Sequence, residues 1–538
     1  MKKHIQGRHF LMAATITCAL LVGGCTGKQK ETAPAVDEKL DHATIESSIA
    51  QTEQSTEPET QLPKTPSSEQ EPTQDNPTII NDTIPQVLIE QKTTNWYTED
   101  NKTFLLEENY AIVTVTNEGF DNLATSLSRW DGKTSAAYSF VEPLINAVRE
   151  QYNSLDPNTP FHNYAMEEEL FIGRIDASVL SLISMSRGSF GSARDYYGIT
   201  GFTYDVESGT ELDISDLVLD PTSFYEAATD YIIQELQEKY QDQLYDNYAD
   251  YVAERWTDET LSNYYLDASG IVVVYKPYEI GSYEMGEAQV TLPYAQFGSY
   301  MDTRYLPSDG KFVAHVSENV DISSFVGDTS PVMVEVIQDD FEFGGITLIS
   351  GTASDESVEC ERFIDAYVIR SIQDKSMLLM SADYASDDYV TVLYTIANNQ
   401  VQKCGEIQGA RMTGKHISTD SIELWVQIDV LGTYAACMTY EIDTNGTLTQ
   451  SEAIFHINSS YPLLITRELP VTIDDNETTL PVGQTITITG SNNIDTVYFV
   501  TDDGQEGTIQ YTFQEDEWQH YINGVSEYEY FDMIPYVG

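Results

Sequence analysis

Tyr264-Tyr265-Leu266-Asp267-Ala268-Ser269-Gly270-Ile271-Val272-Val273-Val274-Tyr275 is the stretch that decides the fold of the middle of this chain. Two aromatic and β-branched runs flank Asp-Ala-Ser-Gly, a composition that turns a chain back on itself. It reads as a β-hairpin whose second strand is Ile271–Tyr275. The residues just before it read differently. Pro221, Ser223 and Glu226 three residues on predict a capped helix start. Phe224, Ala228, Tyr231, Ile232 and Leu236 then mark one helical face. Tyr248, Tyr251, Val252 and Trp256 predict a second helix. A hairpin beside two helices is the signature of a mixed α+β unit.

Further toward the N-terminus, Phe202-Thr203-Tyr204-Asp205 runs into the turn Glu207-Ser208-Gly209. Phe171 to Ser186 alternates well enough for one or two strands. Phe140, Leu144, Ile145, Val148 and Tyr152 have helical spacing. Phe104–Leu106 and Tyr110–Val115 read as strands. The α+β domain is therefore expected over residues 86–306.

After Gly310 the helical period disappears. Val332–Val336, Ile346–Ile349, Phe363–Ile372, Met377–Met380, Tyr389–Ile396, Ile422–Val430 and Ala435–Ile442 read as strands separated by turn clusters. Residues 311–465 are expected to be β-rich and propeller-like, with Phe363–Gly405 as one blade. Residues 466–538 resemble a Src-homology-3-like small barrel. Thr485–Ile488, Val497–Val500, the turn Asp502-Asp503-Gly504 and Gly507-Thr508-Ile509 carry that likeness. The Gly-Trp pair usual in wall-binding barrels of this kind is absent.

The front of the chain is of another kind. Lys2, Lys3 and Arg8 precede an apolar stretch from Phe10 to Val22. That length suits a secretory signal and falls short of a bilayer span. Leu20-Leu21-Val22-Gly23-Gly24-Cys25 resembles a bacterial lipobox. The resemblance implies a lipoprotein signal peptide over residues 1–24 and acyl chains on Cys25, anchored in the lipid bilayer. Residues 25–85 are expected to be a disordered acidic tether. From 26 to 85 there are twelve acidic residues, four lysines and no aromatic residue, too little apolar surface to offset ordering entropy.

The 538 residues carry 87 acidic and 27 basic side chains, a formal charge of −60. Such a surface repels nucleic acid and steers cations and basic proteins inward. No two of the eight histidines stand at i, i+4 spacing, so no zinc helix is predicted, and no metal or cofactor is expected. Ser308-Asp309-Gly310-Lys311 fits a Ser-x-x-Lys pattern, but Asp-Gly makes it a turn. Glu441-Ile442-Asp443-Thr444-Asn445-Gly446 with Glu452 mimics a calcium loop, yet Asn-Gly between β runs predicts a hairpin.

Three stretches carry a family likeness: Phe202–Leu212 with Leu217, Leu266–Ile271 running into Tyr278–Gly286, and Val290-Thr291-Leu292-Pro293-Tyr294. Residues 86–306 resemble the PdaC/RsiV-type extracellular domain. This domain is shared by a polysaccharide deacetylase and a lysozyme-sensing anti-sigma factor. Where that family has a Gly-Gly-Ala-His-like turn, this chain has Tyr196-Tyr197-Gly198, so no histidine role carries over. Together with the lipobox, the tether and the lack of a catalytic set, the resemblance leads to the expectation of a non-catalytic lipoprotein on the extracellular face of a Gram-positive cell membrane. Its expected partner is a cell-wall ligand such as peptidoglycan, or lysozyme. Tyr275, Tyr278, Glu279 and Tyr283 are the candidate binding residues, since tyrosine offers rigid contact area with one polar tip. A peptidoglycan-modifying enzyme or deacetylase accessory, and a structural spacer, are the alternatives.

Overall fold

The computed structural model describes residues 83–536 except 100–101, 131–135, 157–158, 190–194, 256–262, 328–331, 338–343, 351–353, 373–374, 385–387, 398–399, 444–446, 458–460, 515 and 517. The signal peptide, Cys25, all but the end of the tether, and Trp256 therefore lie outside the described residues. Among the described residues no helix is long and apolar enough to cross a membrane.

The first strands are β1 (Val87–Tyr97) and β2 (Phe104–Val115), paired antiparallel. Helices α1 (Asp121–Leu127) and α2 (Ala136–Ser154) follow. Then β3 (Tyr164–Ile175), β4 (Val179–Ser189) and β5 (Tyr196–Asp205) form an antiparallel meander, with β3 parallel to β2. The one-turn α3 (Ile214–Leu217) leads to α4 (Pro221–Tyr240) and α5 (Tyr248–Arg255). A separate small sheet holds β6 (Tyr264–Leu266), β7 (Gly270–Tyr275) and β8 (Ala288–Pro293). Tyr264 pairs with Val273 and Leu266 with Ile271, the hairpin that the sequence predicts.

All six residues of β7 are buried because the strand is covered on both faces. Ile271, Val273 and Tyr275 join Phe224, Ile232 and Leu236 of α4 in one apolar cluster. Val272 and Val274 join Ile183 of β4 and Tyr265 of β6 in another, with Phe171 and Ile199 packed against it. Side chains alternate across a strand, so β7 becomes the middle of a helix–sheet–sheet stack. Each fully buried Val or Ile contributes about 1.5–3 kcal/mol.

Glycine lets the two sheets meet. A Cβ on Gly201 would stand 1.8 Å from the Tyr264 carbonyl oxygen, and one on Gly173 2.7 Å from that of Leu266. Polar groups at this contact are satisfied across it. The Asn263 side chain accepts from Gly201 N–H at 2.9 Å and donates to the Ile199 carbonyl at 2.8 Å. Leu266 N–H donates to Ser181 Oγ at 2.9 Å.

Helix α4 starts earlier than the Ser223–Glu226 box predicts. Its cap is Asp220, whose carboxylate accepts from Thr222 N–H at 3.2 Å and Ser223 Oγ at 2.6 Å. Proline suits the first helical position, where its missing N–H is no loss. Pro221 therefore begins the helix and the residue before it caps. Phe224, Ala228, Ile232 and Leu236 are buried along the expected face.

Beyond Tyr294 the architecture departs from expectation. Strand β9 (Phe312–His315) pairs with β3. A four-stranded sheet holds β10 (Val320–Asp321), β11 (Val332–Ile337), β12 (Gly344–Ser350) and β13 (Ser354–Cys360). On its other side β9 pairs with β14 (Arg362–Ile372), and β15 (Lys375–Asp383), β16 (Tyr389–Ala397) and β17 (Gln400–Gln408) continue the same sheet. One ten-stranded sheet thus runs from the 86–306 region into the 311–465 region. The strands β18 (Ala410–Ile417), β19 (Ser421–Asp429) and β20 (Thr433–Ile442) open an eleven-stranded sheet that takes in Leu469–Ile473, Thr485–Ser491, Thr496–Thr501 and Glu506–Gln510. Among the described residues the strands close neither a propeller nor a small barrel. The physical reason is pairing: long strands continue edge to edge between distant segments, where a blade or small barrel closes on local neighbours.

Candidate functional site

The expected tyrosine loop divides in two. Tyr275 ends β7 on the face turned to α4 and is fully buried, with the Arg255 guanidinium 4.4 Å from its ring centroid. Glu279 is only partly exposed. It accepts from Lys276 N–H at 2.8 Å and faces Arg255 Nη1 at 3.9 Å, so its charge is engaged internally. Neither belongs to an open surface.

Tyr278 and Tyr283 do lie on the surface together. Tyr278 is 54% exposed and holds φ at +72°, a conformation that disfavours a bulky side chain. Its ring lies 5.5 Å from that of Tyr283, which stands 5.5 Å from Tyr197 on its other side. Tyr283 OH donates to the Asp195 carbonyl at 2.8 Å. Tyr196, 53% exposed, follows directly on the chain. The sequence signal for the part of Tyr196 and Tyr197 in the patch was the Tyr-Tyr pair itself.

A second feature is separate from this patch, none of whose tyrosines lines it. A cavity of about 570 Å³ opens where the β3–β5 sheet, the β6–β8 sheet, β9 and β14 come together. Its apolar wall includes Phe171, Ile183, Ile199 and Val272, the open end of the cluster under β7. Phe363 and Tyr240 add two rings.

The polar wall is built by strand register. His315 of β9 pairs with Tyr367 of β14, and their rings stand 5.4 Å apart. Asp365, two residues before Tyr367, lies 3.1 Å from His315 Nε2. Burial pushes His315 down, but the bond to Asp365 and the charges of Asp365 and Asp267 outweigh it, and its pKa is raised. Asp267 is buried behind it. It accepts from Ser269 Oγ at 2.5 Å and Ser317 Oγ at 3.2 Å, and burial raises its pKa. Tyr265 OH donates to Gln289 Oε1 at 2.7 Å. Glu287 accepts from Ile199 N–H, and burial raises its pKa too. Among the described residues, two buried atoms here have no hydrogen-bond partner: His315 Nδ1 and Tyr367 OH.

Nothing local in the sequence links His315 to Asp365 and Tyr367. Only the β9–β14 pairing brings them together. The other motifs resolve simply. Gly310 N–H donates to Ser308 Oγ in a turn. Ile442 pairs with Leu448 as a hairpin, and Glu452 lies 3.0 Å from His456 Nε2. Among the described residues no group of three or more His, Cys, Asp or Glu is placed to hold a metal ion.

Residues 215–295 match DUF3298. That family is described as a protein of unknown function. The match runs from α3 through β8 and contains Tyr275, Tyr278, Glu279 and Tyr283, while His315, Asp365 and Tyr367 lie beyond it. A crystal structure of a DUF3298 family member from Bacteroides fragilis is similar at 18% identity. The likeness covers 41% of this chain and 94% of that one, with a TM-score of 0.33. A DUF3298 family protein from Pseudomonas aeruginosa is similar at 14% identity, over 40% of this chain and 94% of that one, with a TM-score of 0.28. No curated protein matches the chain.

Proposed function

We propose that this is a non-catalytic binding protein, held by acyl chains on Cys25 at the extracellular face of a Gram-positive cell membrane. It captures a basic protein such as lysozyme on the Tyr196, Tyr197, Tyr278 and Tyr283 patch. The lipobox and the likeness to the PdaC/RsiV type support the setting. The observation that carries the reading is Tyr278, held exposed on a left-handed backbone against Tyr283. Backbone strain of this kind persists where the surrounding structure imposes it, and it gathers at binding sites. The formal charge of −60 favours a basic partner and speeds its encounter at low salt. Titrating full-length protein against immobilised lysozyme at rising salt tests this. Affinity should fall with ionic strength, and Tyr278→Ala should weaken it by tenfold or more, the range of an interface hot spot. No binding at low salt would remove the lysozyme reading.

One observation favours a second reading, a cell-wall-modifying enzyme. His315 and Glu287 in the cavity wall, and Asp267 buried behind His315, have raised pKa values, and such groups gather at active sites. Sugars or acetate released from peptidoglycan by the wild type, and lost in His315→Gln, would establish it.

A further inference from the structure

We propose that the cavity beside His315 is a pocket for a neutral saccharide of one or two rings, bound through His315, Tyr367 and Asp365. The starting point is the pair of unpartnered atoms. Tyr367 is fully buried, yet its hydroxyl has no hydrogen-bond partner, and neither has His315 Nδ1. Folded proteins satisfy nearly all buried polar atoms. Two orphans on paired strand positions, both lining one cavity, are groups left open for a ligand.

The mixture of groups selects the ligand. Tyr367 OH and Lys239 can donate to it, while Asp365 and Glu287 can accept. A sugar hydroxyl does both, with one donor and two acceptor positions. An ionised ligand fares worse. A cation meets Lys239 and a His315 whose protonated form is favoured. An anion meets Asp365, Glu287 and Glu318 within a chain of charge −60. The rings of Phe171, Phe363 and Tyr240 give flat apolar surfaces for the C–H faces of a sugar. The volume of about 570 Å³ falls in the ordinary range for small-molecule sites.

Gly414 of β18 packs closely against this wall, where a side chain would not fit. A Cβ there would lie 2.7 Å from Phe171 Cδ1, 3.1 Å from Tyr367 OH and 3.4 Å from Asp365 Oδ2. The assignment is independent of protein capture at the tyrosine patch. It shares its cavity with the enzymatic reading but does not require turnover.

The test uses full-length protein in a zwitterionic detergent. Glucose, diacetylchitobiose, choline and acetate are each titrated by calorimetry and followed by saturation-transfer NMR. At least one saccharide should bind with Kd of about 1 mM or tighter. Tyr367→Phe, which removes only the orphan oxygen, should weaken that binding about tenfold while the thermal unfolding transition stays cooperative. His315→Gln should weaken it as well. Failure of both sugars to bind folded wild-type protein overturns the proposal. So does tighter binding of choline or acetate, or a Tyr367→Phe variant that binds like wild type.

Discussion

Two polar clusters meet at strand β9, whose Ala314 pairs with Arg174 of β3 and whose His315 pairs with Tyr367 of β14, and they are built on opposite plans. In one, the fully buried Arg174 spends every nitrogen. Nε and Nη2 donate to Asp176 Oδ2 at 2.8 and 2.5 Å. Nη1 donates to Tyr294 OH and the Tyr305 carbonyl, each at 2.8 Å, and Nη2 also reaches the Leu306 carbonyl at 3.1 Å. Asp176 is satisfied in turn by Ser178 and Val179 N–H groups. In the other cluster, the cavity wall, Tyr367 OH and His315 Nδ1 are left without partners. A complete network fixes one arrangement of the scaffold. An incomplete one beside a cavity holds capacity in reserve. The first cluster ties β3 to the segment after β8; the second faces a space a ligand can enter.

The largest expected effect tests the scaffold half of that contrast. Arg174→Met keeps the volume but strands Asp176 as a buried, unpaired charge. Such a break costs about 3–5 kcal/mol. Denaturant unfolding should register that loss, and a change under about 1 kcal/mol would mean the network is not structural. Gly201→Ala comes next. Its methyl would collide with the Tyr264 backbone at 1.8 Å, and rigid backbone cannot step aside as a side chain does. Overpacking of this kind costs about 1–3 kcal/mol, occasionally more. It should also spring the β5–β6 contact, so amide exchange at Gly201 and Leu266 should accelerate well beyond that of β19.

The same contrast explains what the sequence could tell. The hairpin at 264–275, helices α4 and α5, and most later strands were legible because hydrophobic period and turn chemistry are local. The α4 cap was misplaced by three residues because Pro221 shifts the helix start onto itself. The sequence places Tyr275 correctly at the end of the second strand but groups it with the binding tyrosines, although it shares parity with Ile271 and Val273 and so faces α4 with them. The propeller expectation failed for a non-local reason. Strand patterns reveal that strands exist, but the β3–β9–β14 pairing joins segments far apart in the chain. The cavity depends on that same pairing. His315, Asp365 and Tyr367 were therefore invisible as a group, while the tyrosines near 278, being neighbours in sequence, were not.

Smaller effects test the cavity half. Tyr367→Phe removes a buried hydroxyl that has no hydrogen-bond partner among the described residues. Burying such a group costs about 1–3 kcal/mol, so the variant should be as stable as wild type or up to about 1 kcal/mol more stable. A clear loss of stability would mean the hydroxyl is bonded and not held in reserve. His315 adds a pH signature. Its folded pKa lies above the ordinary 6.5 because Asp365 and Asp267 outweigh burial. Its contribution to stability is therefore complete below about pH 6.5 and is lost as pH rises through the raised value. The advantage of wild type over His315→Gln in urea should shrink as pH climbs past neutral. An advantage that grows with pH would reverse the assignment of charge at this wall.

The smallest effect returns to the surface. Tyr278 holds φ at +72° with a large side chain, a backbone region that glycine enters freely. Tyr278→Gly relieves that strain but also loosens the unfolded chain, and it removes an exposed ring tilted against that of Tyr283. These terms oppose one another, so stability should move by no more than about 1 kcal/mol in either direction. Capture of a basic protein should nevertheless drop with the ring. Tyr283→Phe separates position from contact: it keeps the ring but releases the Asp195 carbonyl, freeing the patch without deleting its surface. If Tyr278→Gly abolishes capture and Tyr283→Phe only weakens it, the strained residue is the contact and its neighbours are its support. Equal losses in both would make the patch one rigid unit, with the strain at Tyr278 serving the loop and not the partner.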